Sequence, residues 1–445
     1  MWTPGRPESR WRNDEHSRRD EEDVNLPGAH ARWLEIETDR LLQFARGSRV
    51  SAGGFGMLDD VGQVSDPSTC DLLITCRMTH VFSLAALLGR PGGGLLADHG
   101  IKALTEMFAD PVNGGWWREV DLTSGLPVDD SKAAYAHAYV LLAASSAVRA
   151  GRPGAAALFA AATDTVERHF WDDTDGRVRE SWDAAFEHEE PYRGANSNMH
   201  SVEAFLAAED ASGDPIWRTR ALRIADWLIN DVARNNGWRV VEHFHLDGAL
   251  DRQYNSDDPA HQYRPYGATI GHALEWSRLL LHLRAALGSE APDWLLEAAV
   301  SLFDTAVTSG WAVDGADGFV YTVDWDGSPV VRERLHWVVA EAIAAAAALE
   351  QATGDDRYAV LYESLWDHAA TYFIDEQHGS WHHELDTNNQ PAAAVWSGKP
   401  DIYHALQATL IPRLPLHPSL ASALAEGQLD SIVPPAPDRT LRGES

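Results

Sequence analysis

The chain has 445 residues, of which 36 are Lys or Arg and 67 are Asp or Glu, so its formal net charge is −31. This acidic excess excludes a nucleic-acid-binding protein, because displacing counterions from phosphates requires basic patches, and an anionic membrane surface would repel the chain for the same reason. Apolar residues make up 44 % of the chain, which is enough for a packed core and excludes wholesale disorder.

Residues 1–28 mix both charge signs and lack the apolar segment of a signal peptide. No stretch reaches the roughly 18 uninterrupted apolar residues that indicate a membrane helix. Cys70 and Cys76 lack the spacing of a metal site, and we expect two free, reduced thiols. The sequence therefore predicts a cytoplasmic protein with one domain at 29–418, between tails at 1–28 and 419–445.

A short pattern recurs along the chain: Gly, an aromatic or β-branched residue, then alternation into an acidic turn. It occurs as GGFGMLDD, GGWWREVD, GRVRESWD, GWRVVEH, GFVYTVDWDG and GSWHHELD, at Phe55, Trp116, Val178, Trp238, Phe319 and Trp381. The intervals are 61, 62, 60, 81 and 62 residues, which predicts six repeat units with an insertion in the fourth interval. Alternation that ends in Asp and Gly predicts a short hairpin in each unit.

Two helical segments per unit predict twelve helices. Those that follow a hairpin are rich in Ala and Leu and are expected at 71–88, 130–150, 196–211, 268–287, 333–352 and 400–414. Those that precede a hairpin are expected at 30–44, 95–108, 155–170, 216–233, 292–308 and 357–373. Buried helices are apolar all round, so we place the Ala-rich set in an inner ring. The pattern predicts an all-α fold, an (α/α)6 barrel with hairpins at one mouth, in preference to a linear solenoid.

Polar residues recur near the start of the inner helices. Because these helices begin just after the hairpins, their first turns line one mouth, and we expect their side chains to converge on a common cavity. The residues are Arg77, Tyr135, Asn196, His200, His272, Glu275, Trp337, Glu341 and His404. One residue per unit, from Arg77 through Tyr135, His200, His272 and Trp337 to His404, recurs after 58, 65, 72, 65 and 67 residues. This agreement with the repeat indicates a shared site.

Each of these residues also has a purely structural explanation. His272 and Glu275 share a helix face, where the carboxylate would orient the imidazole, but a surface ion pair or part of a metal site would have the same spacing. Asn196 suits a helix N-cap. Arg77 lies among apolar residues and needs a buried partner, and a lone His404 on an apolar helix would commonly belong to the core.

The chemistry open to these residues is narrow. The sequence contains no Gly-rich phosphate loop, no GxSxG motif and no Cys/His metal cluster, and we expect no metal and no cofactor. Two histidines that titrate near neutrality suit proton transfer onto and off a carbon next to a carbonyl. Aromatic faces together with Arg and Asn hydrogen-bonding groups indicate a sugar, so the expected partner is a monosaccharide substrate.

Six motifs follow one another in an order that a known family shares. They are TCRMTH, AYAHAYVLLA, NSNMH, RPYGATIGHALEW, RLHWVVAEAIAA and WSGKPDIYH. Over about residues 30–415 they resemble the N-acylglucosamine 2-epimerase superfamily, and most of all its mannose-isomerising branch. The resemblance implies an (α/α)6 barrel that interconverts an aldose and a ketose, mannose and fructose foremost, without a metal.

The resemblance also implies roles for single residues. His404 would move a proton between C1 and C2 through a cis-enediol, while His272 would open the ring and handle the oxygen proton, with Glu275 orienting it. The residues that would hold hydroxyls and polarise the carbonyl are Arg77, Tyr135, Asn196 and His200. Trp396 would form part of the pocket wall. One position departs from the pattern, because Leu73 stands where such proteins often carry an aromatic, and this leaves the identity of the sugar open.

Other functions remain open from the residues alone. A 2-epimerase would use two histidines on opposite faces of C2, whereas an isomerase needs one shuttle on one face. An inverting glycosidase would need two carboxylates about 6.5–9.5 Å apart. The available carboxylates are Glu203, Glu275, Glu341 and Asp401. A sugar-binding protein without catalysis would need no titrating histidines. Sulfonated or N-acetylated sugars and disaccharides stay possible, and the sequence does not indicate the oligomeric state.

Overall fold

Two concentric sets of helices form the body of the protein in the computed structural model, which describes residues 28–432. The inner helices are α2 (Leu72–Leu87), α4 (Ala134–Arg149), α6 (Ala195–Ser212), α8 (Ile270–Leu287), α10 (His336–Thr353) and α12 (Tyr403–Leu410). The outer helices are α1 (Ala29–Ala45), α3 (Gly93–Glu106), α5 (Ala155–Thr165), α7 (Ile216–Ala225), α9 (Trp294–Gly310) and α11 (Asp356–His368). All twelve predicted helices are present.

The inner helices close into a ring. Each packs against the next along the chain, and the last, α12, packs against both α2 and α1. Closure buries the inner helices on every side, and in α10 every residue from 338 to 349 is buried. The prediction of an (α/α)6 barrel is confirmed, and the linear solenoid is wrong for this chain.

Several predicted helix bounds differ from those observed. Helices α5, α7 and α11 each continue into a wider π-helical segment, at Val166–Phe170, Asp226–Ala233 and Ala369–Phe373. The predicted helix start at 130 is early, because Lys132–Ala133 forms a strand before α4. The last inner helix was expected from 400 but begins at Tyr403, since Pro400 pairs through its carbonyl with Leu58 instead.

Short strands link the repeat units at one mouth of the barrel. The strands are β1 (Thr69–Asp71), β2 (Glu119–Asp121), β3 (Pro127–Asp129), β4 (Lys132–Ala133), β5 (Trp171–Asp172), β6 (Arg177–Val178), β7 (Ser181–Trp182), β8 (Arg193–Gly194), β9 (His243–Phe244), β10 (Ala268–Thr269), β11 (Thr322–Val323), β12 (Arg334–Leu335) and β13 (Glu384–Leu385). The antiparallel sheets have the orders β1–β2–β3, β4–β7, β5–β6, β8–β9, β10–β11 and β12–β13. Five inner helices thus follow a strand that pairs with the next unit.

The six predicted hairpins are present at this mouth. Antiparallel pairs flank each acidic turn, as at Leu58 with Val64 and at Leu385 with Pro391. The sixth unit returns to the first, because the N–H of Lys399 donates to the carbonyl of Leu58 over 3.0 Å. A closed rim of backbone hydrogen bonds therefore holds the starts of the inner helices at fixed positions around the opening.

The opposite mouth is covered by a helix that the sequence did not predict. The chain from 419 was expected to be a tail, but α13 (Leu420–Ala425) packs against α2, α4 and α6. Arg149, at the end of α4, pairs with Glu426 over 3.0 Å, and the N–H of Ser419 donates to Asp210. The domain boundary at 418 is therefore too early. The predicted tails at 1–27 and 433–445 lie outside the described residues.

Two further expectations concern the described part of the chain. Cys70 and Cys76 are free and buried, as predicted. Within residues 28–432, no helix combines the length and the apolar character that crossing a membrane requires.

Candidate active site

A cavity of about 810 Å³ opens at the hairpin mouth of the inner ring. Residues from all six inner helices or their leading loops reach its wall, because the closed rim brings the helix starts together. All eight residues predicted for the site line it: Arg77, Tyr135, Asn196, His200, His272, Glu275, Trp396 and His404. The predicted convergence on one cavity is present in the structure, while the role of each residue stays a prediction.

His404, the second residue of α12, is held through one ring nitrogen. Its Nδ1 lies 2.9 Å from Oε1 of Glu341, so Nδ1 carries the hydrogen and Nε2 keeps its lone pair. Burial lowers the pKa of His404, and Glu341 offsets this only in part. Burial would raise the pKa of Glu341, but Arg278, at 2.9 Å, and the His404 hydrogen bond outweigh it and lower that pKa. The result is a neutral imidazole beside a carboxylate.

His272, on α8, has the same arrangement with a different partner from the one expected. Its Nδ1 lies 2.9 Å from Oε1 of Glu242, which stands in the hairpin segment before β9. The prediction that Glu275 orients His272 is wrong. Residues three apart on a helix do share a face, but Glu275 turns toward His200, whose Nδ1 is 3.7 Å away, and toward Arg278.

Glu275 is a deeply buried carboxyl among other acids. Its side chain is 1 % exposed, and its Oε1 lies 3.5 Å from Nη2 of Arg278. Burial first, and then the charge of Glu341, raise the pKa of Glu275 well above its usual value. The side chain is therefore a neutral acid at pH 7 that can donate a hydrogen bond into the cavity.

Arg77 joins three neighbouring elements at the cavity floor. Its guanidinium donates to Asp401 over 3.0 Å, to the Tyr139 hydroxyl over 2.9 Å and to the Tyr135 hydroxyl over 3.1 Å. The buried partner that the sequence required is therefore Asp401, supported by two tyrosines. Burial would raise the pKa of Asp401, but Arg77 lowers it below its usual value. The ion pair fixes a positive charge beside the expected position of the carbonyl oxygen.

Asn196 and His200 lie on the first turns of α6. The N-cap of that helix is Gly194, so the proposed N-cap role of Asn196 is wrong, and its side chain is free to line the cavity. The Nδ1 of His200 lies 3.1 Å from the Tyr139 hydroxyl. Burial lowers the pKa of His200 to about 4, so this imidazole is neutral at pH 7.

Several polar atoms in the cavity wall have no hydrogen-bond partner among residues 28–432. They are Arg77 Nε, Asn196 Oδ1, Glu275 Oε2, His336 Nε2 and Trp396 Nε1. Buried polar groups without partners are costly, and a wall that collects both donors and acceptors is complementary to a ligand with many hydroxyls. The arrangement therefore fits a sugar.

Aromatic rings supply the apolar faces of the cavity. Leu73 lines the wall where an aromatic was noted as missing, and the rings come from other elements. They are Tyr135, Tyr263, Tyr321, Trp337 and Trp396. Tyr263 lies in the inserted fourth loop and meets Trp396 edge-on at 5.4 Å, beside a hydrogen bond from Gln262 to the carbonyl of Val395. The insertion thus forms part of the cavity roof.

Sequence reasoning missed several residues of the site or its supports. Glu242 had a signal, because it lies in the fourth copy of the repeated hairpin pattern, and Asp401 lies within the KPDIYH motif. Tyr139 is one turn after Tyr135 on α4. His336 and His383 have no spacing signal that distinguishes them from the other histidines, because they meet only when α10 packs beside the sixth hairpin.

Two groups of side chains in the described chain have donor atoms close enough to hold a metal ion. They are His200, Glu203 and Glu275, and Glu275, Glu341 and His404. The guanidinium of Arg278 lies 2.9 Å from Glu341, 3.5 Å from Glu275 and 4.0 Å from Glu203. An arginine among these carboxylates already supplies a balancing positive charge.

Known proteins share this architecture and sequence. Residues 53–408 match the N-acylglucosamine 2-epimerase (GlcNAc 2-epimerase) family. A D-mannose isomerase of Thermobifida fusca is 55 % identical over 398 residues, which cover 89 % of this chain and 97 % of that protein. A D-mannose isomerase of Pseudomonas cannabina pv. alisalensis is 50 % identical over 400 residues, covering 89 % and 96 %.

A solved structure agrees with these sequence relatives. The crystal structure of a D-mannose isomerase superposes with a TM-score of 0.79 at 32 % identity, covering 85 % of this chain and 96 % of that one. The family match spans most of the chain and includes every inner helix that carries a cavity residue. This protein belongs to the N-acylglucosamine 2-epimerase family.

Proposed function

We propose that this protein is an aldose–ketose isomerase that interconverts D-mannose and D-fructose. Two relatives that are 55 % and 50 % identical over nearly their whole length are D-mannose isomerases. The observation that carries the proposal is the state of His404, a neutral imidazole at the cavity wall whose Nδ1 is bound to Glu341. Such an imidazole can take a proton from carbon through Nε2 and return it.

The reaction moves one proton between carbons and one between oxygens. After His272 assists ring opening, His404 removes the proton from C2 of the open aldose, and a cis-enediol forms between C1 and C2. The O2 proton leaves as the C2 carbonyl forms, the O1 oxygen gains a proton, and His404 delivers its proton to C1. C2 is thereby oxidised and C1 reduced, without an external electron acceptor.

The cavity charges suit this intermediate. Arg77 is held by Asp401 beside the carbonyl, where a fixed positive charge stabilises the developing oxyanion. Glu275 is a neutral acid and therefore adds no repulsion to the anionic intermediate, while its proton can serve an oxygen. The carboxylates behind His404 and His272 stabilise each imidazolium when it forms, as the acid in a catalytic triad does.

A 2-epimerase is the second candidate, and one observation favours it. His272 is held by Glu242 just as His404 is held by Glu341, so both imidazoles can exchange a proton through Nε2. If both reached C2 from opposite faces, the intermediate would be reprotonated with inversion. Trp337 lies between them, with ring centroids 5.4 Å from His272 and 5.7 Å from His404.

The geometry gives a glycosidase less support. Of the four candidate carboxylates, only Glu275 and Asp401 line the cavity. Glu341 is bound by His404 and Arg278, and Glu203 accepts hydrogen bonds from Tyr403 and Gln407. Because Asp401 is paired with Arg77, no second carboxylate in this wall is free to act as a base.

Metal independence and a cytoplasmic location are parts of the same proposal. The histidines and Arg77 can together supply the acid–base and oxyanion chemistry of the isomerisation. Support for the location comes only from the amino-acid sequence, and a fractionation of the host cell would test it.

The decisive experiment is incubation in D2O, with EDTA, of mannose, fructose, glucose and N-acetylmannosamine in turn. We expect mannose and fructose to interconvert, with deuterium entering at C1 or C2. Inversion at C2 without ketose would establish the epimerase instead. Cleavage of a glycoside with no exchange into free sugars would contradict both, and loss of activity with EDTA that added metal restores would contradict metal independence.

A further inference from the structure

Two histidine rings stack against each other in the cavity wall. His336, the first residue of α10, and His383, on the sixth hairpin, have ring centroids 3.7 Å apart and planes inclined by 23°. Both side chains are buried and both line the cavity. The reaction proposed above uses neither ring, so the pair requires a separate explanation.

Backbone and side-chain hydrogen bonds fix the orientation of both rings. The Nε2 of His383 lies 3.0 Å from the carbonyl oxygen of Asp401, and the backbone N–H of His336 donates to the carbonyl of His383 over 3.0 Å. The Nδ1 of His336 faces the same carbonyl at 3.4 Å. A carbonyl only accepts, so Nδ1 of His336 carries the hydrogen, and its Nε2 is a lone-pair acceptor.

This acceptor lacks a partner among the described residues. The Nε2 of His336 is buried and forms no hydrogen bond. Burial, together with neighbouring His383 and His404, lowers the pKa of His336 well below its usual value, so the ring does not gain a second N–H near pH 7. A buried acceptor of fixed direction favours a ligand hydroxyl, because a hydroxyl can donate to it.

The distance to His404 locates that hydroxyl on the sugar. The centroids of the His336 and His404 rings are 6.4 Å apart. The reacting carbon must come within about 3–3.5 Å of His404, so His336 reaches only groups close to C1 and C2. The oxygens on C1 and C2 change their bonding during the reaction, which leaves the hydroxyl on C3.

We propose that His336 is a specificity-determining residue whose Nε2 accepts a hydrogen bond from the C3 hydroxyl of the bound hexose, with His383 as the residue that positions it. The inference rests on the proposed function for the identity of the sugar. It assigns the substrate requirement at C3 to one side chain, and it explains why a stacked, neutral pair occupies this wall.

The test is an enzyme–substrate cycle read by equilibrium binding. Dissociation constants of D-mannose, 3-deoxy-D-mannose and D-lyxose, which lacks the C6 group, are measured in the His404→Ala background, with and without His336→Phe. With His336 present, the 3-deoxy sugar should bind about tenfold more weakly than mannose. In the background that also carries His336→Phe, that difference should vanish, while lyxose and mannose should weaken by the same factor.

A second variant keeps the test independent of folding. His336→Gln retains an acceptor near the Nε2 position and should preserve the discrimination at C3, and thermal unfolding shows whether each variant is folded. An unchanged penalty for the 3-deoxy sugar in a folded His336→Phe variant would overturn the proposal, as would equal weakening of all three sugars. Because binding is measured without turnover, a wild-type enzyme that fails to isomerise mannose would count against the proposed function alone.

Discussion

At the scale of single residues, the two proposed acid–base histidines share one design. Each has its Nδ1 bound to a glutamate at 2.9 Å, Glu341 for His404 and Glu242 for His272. A carboxylate at Nδ1 fixes the tautomer, and it stabilises the imidazolium that forms when Nε2 accepts a proton. The glutamates therefore belong to the site as much as the histidines do.

Replacing His404 should remove the carbon-to-carbon proton transfer. We expect His404→Ala to abolish deuterium exchange and to lower kcat by at least about 10²- to 10⁴-fold, the usual contribution of a general base. The measurement is exchange into mannose in D2O, with circular dichroism to confirm folding. His245→Ala is the control, because His245 is 60 % exposed and lies outside the cavity wall. Near-normal turnover in His404→Ala would refute the assigned role.

Removing the charge behind His404 should act through that histidine. Glu341→Gln replaces a carboxylate by an amide, which stabilises the imidazolium less and permits the wrong tautomer, so kcat should fall by up to about 10⁴-fold. Glu341 raises the pKa of His404, so the acid limb of the pH profile should move to lower pH in the variant. A kcat loss with an unmoved acid limb would mean that Glu341 serves only the fold.

The pH dependence of the wild-type enzyme follows from the same residue. Burial lowers the pKa of His404 below its usual 6.5, so the base stays unprotonated at pH 7 and is lost only in more acid solution. We expect kcat/KM to be independent of pH near neutrality and to fall as pH decreases through a value below 6.5. An acid limb centred above this usual value would contradict the neutral state assigned to His404.

At the scale of elements, the barrel closes where α12 meets α2, and the Arg77–Asp401 ion pair crosses that junction. Asp401 also accepts the N–H of Tyr403 over 2.8 Å, and so caps the first turn of the helix that carries His404. Its backbone carbonyl accepts the hydrogen bond from His383. One side chain therefore sets the position of Arg77 relative to His404.

Asp401→Asn should separate this positioning from stability. Loss of one charge leaves Arg77 buried with a weaker partner, and we expect kcat to fall at least about tenfold together with a loss of stability of a few kcal/mol. Asp314→Asn is the matched control, because Asp314 pairs with buried Arg334 at 2.6 Å outside the cavity wall. The control should lose comparable stability by urea denaturation and retain activity. Equal loss of activity in both variants would show a structural role only.

Element positions were largely predictable from sequence, and the errors have local causes. Apolar periodicity and small residues located all twelve barrel helices. The start of α4 was misplaced because Lys132–Ala133 pairs with Ser181–Trp182, a strand contributed by the next unit. Helix α13 was missed because six residues are too short for a clear periodic signal, and its burial depends on the far ends of α2, α4 and α6.

At the scale of the whole molecule, neutral histidines buried in the core determine the response to acid. Burial lowers the pKa of His80, His200, His282 and His368 to about 4, and of His137 and His383 to about 3. Between the usual pKa of 6.5 and those values the unfolded chain binds protons that the folded chain does not. The free energy of unfolding therefore falls as pH decreases through this range.

This effect can be measured before the carboxylates titrate. Protonation of exposed acids near pH 4 relieves the repulsion that arises from the net charge of −31, which acts in the opposite direction. We therefore expect the urea midpoint to decrease steadily from about pH 6.5 to about pH 5. His80→Phe, which removes a buried histidine from α2, should reduce the slope. A midpoint that is constant or rises over this interval would contradict the prediction.

The amino-acid sequence by itself determined the repeat, the ring of helices and the residues that face the mouth. These follow from local chemistry: helices show an apolar period, hairpins show alternation and acidic turns, and a residue in phase with six repeats must recur at the same place in a closed ring. The eight predicted site residues consequently meet in one cavity.

Only the tertiary structure decided which side chains act together. The partners are distant in sequence: Glu242 is 30 residues from His272, Glu341 is 63 from His404, and Asp401 is 324 from Arg77. Spacing within one helix favoured Glu275 as the partner of His272, but the packing of neighbouring units brought Glu242 closer. Side-chain pairs across units depend on how helices and hairpins pack around the closed ring, and periodicity along one chain segment does not specify that packing.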